Sequence, residues 1–290
     1  MAFEPPQRLV RALDGTTEWL GQLPGIVREA VDRRKLDVER VVVPGGRSSV
    51  VLLVRLPDGT PAVLKLAPPQ AAPDAERTAL TAWDGWGAVR VLDDDGDGGL
   101  LLERLQPDVS LRSLPEAKAL LEAAGTVRRL WVEPSAGHGW ESVAERTARQ
   151  ADVMRVAGGP LVAAALDARA ELVAAGDGPE LLLLHGNFRQ GKVLAGERSP
   201  WLTVGPEPVV GERAYDLARL VRDRVEDLVA SSGGAAAARR RVKRLADSLE
   251  VDRERLRGWT LFRAVESGTR ALAEGRRAQG EAALEFAGWL

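Results

Sequence analysis

The chain has 290 residues, 45% of them apolar and 28% charged, and a formal net charge of −2. That length carries one large domain or two lobes, and the near-neutral balance gives no general attraction to nucleic acid or to a membrane surface. The lack of cysteine excludes disulfides, thiolate metal sites and cysteine nucleophiles, and two histidines, His138 and His185, are too few for a multi-histidine metal centre.

The first residues, Met1-Ala2-Phe3-Glu4-Pro5-Pro6, lack the positive region and apolar core of a secretory leader. No run of about 18 uncharged apolar residues occurs, so no transmembrane helix and a cytoplasmic location are expected. The bias toward Ala, Arg, Gly, Val and Leu suggests a GC-rich genome, as in actinobacteria. Residues 5–35 have helical spacing, with Leu9, Val10 and Leu13 in one stripe and Leu20, Leu23, Ile26, Val27 and Val31 in another. Short β-rich runs follow at 41–43, 49–56 and 62–66, separated by Pro44-Gly45-Gly46 and by the hairpin signal Asp58-Gly59. The pattern then predicts a helix over 71–84 and strands near 88–93 and 99–105. The Asp/Gly-rich stretch 93–99 superficially resembles a calcium loop. It lacks the twelfth-position glutamate and the flanking helices, so a tight hairpin is expected. Beyond residue 110 the spacing predicts helices at 115–131, 140–156 and 159–176. A strand-and-loop insertion is predicted at 181–210, then helices at 212–230, 235–248, 252–274 and 279–288.

Two segments in that insertion carry the chemistry. One is Leu184-His185-Gly186-Asn187-Phe188-Arg189-Gln190-Gly191-Lys192-Val193, and the other is Trp201-Leu202-Thr203-Val204-Gly205-Pro206-Glu207-Pro208-Val209-Val210-Gly211-Glu212. They resemble the catalytic loop His-Gly-Asp-Leu-His-x-Gly-Asn-Val and the metal segment Trp-Leu-x-Ile-Asp-Pro-Lys-Pro-x-x-Gly-Asp/Glu of the aminoglycoside/hydroxyurea phosphotransferase family, which includes streptomycin 6-phosphotransferases. Leu23-Pro24-Gly25-Ile26-Val27, Asp58 to Leu66, Glu76-Arg77-Thr78-Ala79-Leu80 and Leu100 to Leu105 resemble the same family, as do Arg257-Gly258-Trp259 and Ala264-Val265-Glu266-Ser267. The resemblance implies an α+β, protein-kinase-like two-lobed fold of the aminoglycoside phosphotransferase type. The N-lobe would span 1–106, with the hinge at 105–107. A mainly helical C-lobe, 107–290, would hold a degenerate catalytic loop at 184–194 and a metal segment at 201–212.

By the same resemblance, the aspartate that positions the substrate hydroxyl and takes its proton is here Asn187. The asparagine that holds magnesium is Lys192, and the aspartate that is the second metal ligand is Gly205. An amide is no base near neutral pH, and an ammonium cannot ligate a cation. Three such losses together lead us to expect a pseudokinase. It would have lost phosphotransfer and would bind a small anionic ligand or nucleotide in the interlobe cleft, in natural-product biosynthesis or antibiotic self-protection. Two alternatives stay open: non-kinase chemistry in the same cleft, and weak residual antibiotic phosphotransfer.

Asn187, Arg189, Lys192 and Asp216 are the candidate degenerate or repurposed catalytic positions. Asp216 is implied to support the catalytic loop through hydrogen bonds, and His185 is implied to be structural. Lys65 is implied to contact nucleotide phosphates and to pair with Glu76; read alone, it is a strand lysine. Ser48 and Ser49 lie where the phosphate-covering loop belongs; read alone, that stretch is a hairpin turn. Asn187, Arg189, Lys192 and Gly205 each remove a negative charge or add a positive one relative to the family pattern, and Glu207, in place of a lysine, opposes them. Magnesium binding is therefore expected to be lost and no cofactor to be required, with ATP binding left open. The expected partner is a small molecule, with no nucleic acid and no membrane; the oligomeric state is open.

Overall fold

The structure, a computed structural model, describes residues 4–13, 18–93, 99–175 and 180–290. The tight hairpin expected over 93–99 falls, for residues 94–98, outside the described residues. Contacts divide the chain into two units. One is Met1–Ser110 with Leu194–Val204, and the other is Leu111–Val193 with Gly205–Leu290.

The first unit opens with α1 (Gln7–Ala12) and α2 (Glu18–Arg34), followed by β1 (Asp37–Val41), β2 (Val50–Arg55), β3 (Pro61–Leu66), α3 (Pro73–Trp83), β4 (Val91–Asp93), β5 (Leu100–Glu103) and β6 (Gln106–Ser110). The sheet order is β1-β2-β3-β5-β4, all neighbours antiparallel. In β3 the side chains alternate. Ala62, Leu64 and Leu66 are buried in one core with Leu23, Val27 and Ala30 of α2, and this period of two turns Val63 and Lys65 to the other face. The 41–43 run is not itself a strand; β1 begins at Asp37 and ends at Val41, with a bulge between Val38 and Arg40. The 105–107 stretch enters β6, whose Gln106 and Ser110 pair with Ala195 and Leu194. That pairing, with Val89 N–H donating to the Thr203 carbonyl at 3.0 Å, is why 194–204 belongs to the first unit.

The second unit holds α4 (Glu116–Leu130), α5 (Val143–Ala157), α6 (Pro160–Ala174), β7 (Leu182–Leu184), a 3-10 turn Gln190–Lys192 and β10 (Val209–Gly211); between that turn and β10 the chain runs through β8 (Val193–Ala195) and β9 (Trp201–Thr203), which from Leu194 on belong to the first unit. Five helices close it: α7 (Arg213–Val221), α8 (Val225–Val229), α9 (Gly234–Leu249), α10 (Arg253–Ala273) and α11 (Arg277–Ala287). α10 is the central helix and packs on α5, α6, α7, α9 and α11. Its Trp259 meets Tyr215 and Phe262 edge-on at 5.4 and 6.1 Å and donates its indole N–H to Glu212 at 2.6 Å. β7 and β10 are antiparallel, with Leu184 opposite Val209. That register sets the loop leaving β7 beside the segment entering β10.

The helix expected over 212–230 is two helices. Arg224 has φ +55° and ends the run, because Asp223 and Arg224 are committed to partners elsewhere in the unit. Among the described residues, no helix is long and apolar enough to cross a membrane.

Candidate active site

The loop after β7 is held mainly by backbone-directed bonds. Asp216, fully buried in α7, accepts the N–H of His185 at 3.1 Å and of Gly186 at 2.9 Å. Burial pushes its pKa up, against the pull of Arg263 and of those two amides. Arg263 of α10 donates to the Gly186 carbonyl at 2.6 Å and to the Tyr215 carbonyl at 2.9 Å, and its guanidinium lies 4.2 Å from the Tyr215 ring centre. Gly186 has φ +70°, and a Cβ there would come 1.8 Å from the Glu207 carbonyl oxygen. Only glycine permits that approach, which is closed by the Glu207 N–H donating to the His185 carbonyl at 2.9 Å. From α5, Arg146 reaches the carbonyls of Glu207 and Pro208 at 2.7 and 2.8 Å. His185 is buried, and its Nδ1 accepts the Asn187 N–H at 3.2 Å.

This bracing brings Asn187 against Glu207. The amide Nδ2 donates to Glu207 Oε1 at 2.6 Å. A carboxylate only accepts, so this contact fixes which end of the amide is nitrogen. It leaves Asn187 Oδ1, on a residue 5% exposed, as a buried acceptor without a hydrogen-bond partner. Glu207 keeps an exposed surface, yet its carboxylate lies among cations. Desolvation raises its pKa, but Arg219, Lys192, Arg146 and Arg263 together outweigh that and hold it below its ordinary value. Arg219 is itself pushed down to about 9, first by burial and then by Arg222, Arg263 and Arg189; it stays a cation at neutral pH.

Lys192, half-buried, ends the 3-10 turn Gln190–Lys192. Asp223 anchors that turn by accepting the Gln190 N–H at 2.5 Å, and Arg224 adds a bond to Gln190 Oε1 at 2.7 Å. The Lys192 ammonium occupies the space beside Gly205: a Cβ on Gly205, whose φ is +61°, would lie 2.4 Å from Lys192 Nζ. Arg189 is half-buried next to it in the loop.

In the first unit, Lys65 of β3 donates to the buried Glu76 of α3 in a tight ion pair. Ser49 is buried and Ser48 exposed in the loop before β2. His138 stacks on Trp140, ring centres 5.3 Å apart. The structure thus gathers Asn187, Lys192 and Asp216 in one unit and Lys65 and Glu76 in the other. Arg146 and Arg263 had no sequence signature. The spacing of Asp216 and Asp223, about two helical turns, was the one signal for a second loop anchor.

Residues 34–275 match the model of the aminoglycoside/hydroxyurea antibiotic resistance kinase family. The chain is 35% identical to a streptomycin 6-kinase of Streptomyces glaucescens over 93% of its own length and 89% of that protein's. It is 36% identical to a hydroxyurea phosphotransferase of Kitasatospora aureofaciens, over 93% of this chain and 82% of the relative. Among solved structures it is similar in fold to an aminoglycoside phosphotransferase in a ternary complex with ADP and hygromycin B, with a TM-score of 0.61 and 19% identity, covering 90% of this chain and 95% of that one. It is similar also to a Streptomyces rimosus aminoglycoside phosphotransferase in complex with ADP and streptomycin, with a TM-score of 0.58 and 19% identity, over 85% of this chain and 98% of that one. The fold is that of the kinase-like aminoglycoside phosphotransferases. The chain belongs to the aminoglycoside/hydroxyurea antibiotic resistance kinase family.

These relatives overturn the expectation of a pseudokinase that only binds a ligand, and with it the expectation that the chain is no active phosphotransferase and the alternative of non-kinase chemistry. The proteins matched over nine-tenths of this chain are named for phosphoryl transfer. The physical reason is that a lost aspartate at Asn187 is visible position by position, whereas the carboxylate that the fold sets 2.6 Å from that amide is not.

Proposed function

We propose that this chain is an antibiotic phosphotransferase, moving the terminal phosphoryl group of a nucleoside triphosphate to a hydroxyl of streptomycin or hydroxyurea. The observation that carries the reading is the 35% identity, over 93% of the chain, to a streptomycin 6-kinase.

The unpartnered Oδ1 of Asn187 suits the hydroxyl proton of an acceptor: it accepts that hydrogen bond and aims the oxygen. The acceptor oxygen bonds to the terminal phosphorus as the bond from phosphorus to the bridging oxygen breaks, and the nucleoside diphosphate leaves. The hydroxyl proton passes through the amide, Oδ1 taking it as Nδ2 gives one to Glu207, which is kept ionised beside it; the amide re-forms when Glu207 returns a proton to Nδ2 and Oδ1 loses one to the phosphate product. Phosphoryl transfer rests mainly on positioning and charge stabilisation, so an amide that orients, backed by a carboxylate, keeps the reaction within reach. A relayed base costs rate, and turnover below the roughly 1 s⁻¹ at the low end for kinases is expected.

The test is release of ADP from ATP with streptomycin and with hydroxyurea, run both with and without magnesium. One acceptor should raise ADP release above the acceptor-free rate and appear phosphorylated by mass spectrometry. Glu207→Gln should lower that rate about a hundredfold or more, and adding Asn187→Asp to it should recover most of the loss. If neither acceptor is phosphorylated under either condition, the reading is wrong.

A further inference from the structure

The fold family implies a divalent metal at the phosphates, and the residues of this chain do not fit one. Magnesium needs hard oxygen ligands in near-octahedral array, usually with one or two carboxylates. Gly205 contributes no side chain, and the space its side chain would fill holds the ammonium of Lys192, with Nζ at 2.4 Å, Cε at 3.6 Å and Cδ at 3.8 Å from a Cβ placed there. The neighbouring carboxylates are already committed. Asp216 spends both oxygens on the amides of His185 and Gly186, and Asp223 spends both on those of Gln190 and Arg224. Glu207 takes the Asn187 amide and faces Lys192, Arg146, Arg219 and Arg263. Among the described residues, no group of three or more Asp, Glu or His is placed to hold a metal. A cation arriving beside Gly205 would meet the Lys192 ammonium, whereas an anionic oxygen would meet a charge of opposite sign.

We infer that Lys192 stands in for the metal, so that its ammonium holds a phosphate oxygen of the nucleotide directly and nucleotide binding needs no divalent cation. The inference rests on the phosphotransferase reading for the identity of the ligand. It also explains why Gly205 and Lys192 occur together. A side chain at position 205 would move the ammonium, so glycine there leaves Lys192 Nζ the place it holds. The 3-10 turn fixes the lysine's backbone through its own N–H, which donates to the Arg189 carbonyl at 2.8 Å. Lysine, a compact point charge on a flexible stem, can follow the phosphate as it moves.

The experiment is calorimetric titration of ATP and ADP into the full chain without acceptor, once in EDTA and once in excess magnesium. The two dissociation constants should agree within about threefold, and Lys192→Met in EDTA should weaken binding about ten- to a hundredfold, the size of one lost charge-assisted hydrogen bond. Lys192→Arg should keep most of the affinity. Gly205→Asp keeps Lys192 in the chain but moves its ammonium out of the space beside position 205 and sets a carboxylate there, and it tests the same contact should Lys192→Met not fold. Aspartate tolerates positive φ better than most residues, and this variant should lose affinity in EDTA to a similar extent. Binding that appears only with magnesium overturns the inference. So does full affinity in folded Lys192→Met or Gly205→Asp, or no nucleotide binding at all. Metal-free binding without any acceptor phosphorylation would instead remove the phosphotransferase reading and leave this one standing. Phosphorylation that depends on magnesium-bound nucleotide would do the reverse.

Discussion

Glu207 is the residue on which the electrostatics of the loop turn. Its carboxyl is held below the ordinary value of 4.5, where Arg219, Lys192, Arg146 and Arg263 outweigh desolvation. A group whose pKa is depressed on folding contributes stability that is fully present above its ordinary value and is lost as pH falls through the depressed one. The wild type should therefore be more stable than Glu207→Gln at neutral pH, and the gap should close as the pH is lowered below 4.5. Urea unfolding midpoints across that range measure it. A gap that stays constant would mean the cations do not act on this carboxylate. The residue type at 207 was legible in the sequence as a charge reversal against the family pattern. Its contact with Asn187 was not, because it depends on Gly186 letting two backbone segments close.

At the scale of elements, glycines separate intrinsic helix preference from packing. Gly25 lies in α2 at an exposed position with nothing within 4 Å of a Cβ placed on it. Gly25→Ala should stabilise the protein by about 0.5–1 kcal/mol, through helix propensity and a less free unfolded chain. Gly280 in α11 faces α10, and a Cβ there would meet Leu272 at 2.6 Å and the Gly268 carbonyl oxygen at 3.0 Å. Gly280→Ala should destabilise, by about 1–3 kcal/mol, as overpacking does. Equal effects of the two substitutions in chemical denaturation would contradict the close approach of α10 and α11. Most elements were readable from apolar spacing, since one face of each is buried and periodicity records that face. The break at Arg224 was not, because a left-handed arginine is unfavourable locally. It is offset by bonds to Gln190 Oε1 at 2.7 Å and to the carbonyls of Arg112 and Leu114 at 3.0 Å, residues far away in the chain.

For the whole molecule, the proposed acceptor chemistry predicts linkage. A ligand that binds only the folded state stabilises it by about 2.7 kcal/mol at a hundred times its dissociation constant. Streptomycin or hydroxyurea, added at saturation with ATP, should therefore raise the unfolding temperature beyond the shift given by ATP alone. A pair of acceptors that adds nothing would point to a different hydroxyl-bearing substrate. The family match over residues 34–275 spans both units, so this linkage is a property of the full chain and is to be measured on it.

The sequence by itself determined the family, the order of the elements and the identities at positions 187, 192, 205 and 207. Those follow from residue types and from the periodicity of burial, which are properties of the chain read locally. It also led to the expectation of a chain that had lost phosphotransfer, because loss is visible one position at a time. Only the tertiary structure decided what stands beside each altered residue: a carboxylate against Asn187, an ammonium in the side-chain space of Gly205, and buried Asp216 and Arg263 holding the loop that presents them. Those neighbours come from β7, β10, α7 and α10, brought together by strand register and core packing. Short-range electrostatics and hydrogen bonds act only across such contacts, and no spacing along the chain encodes them.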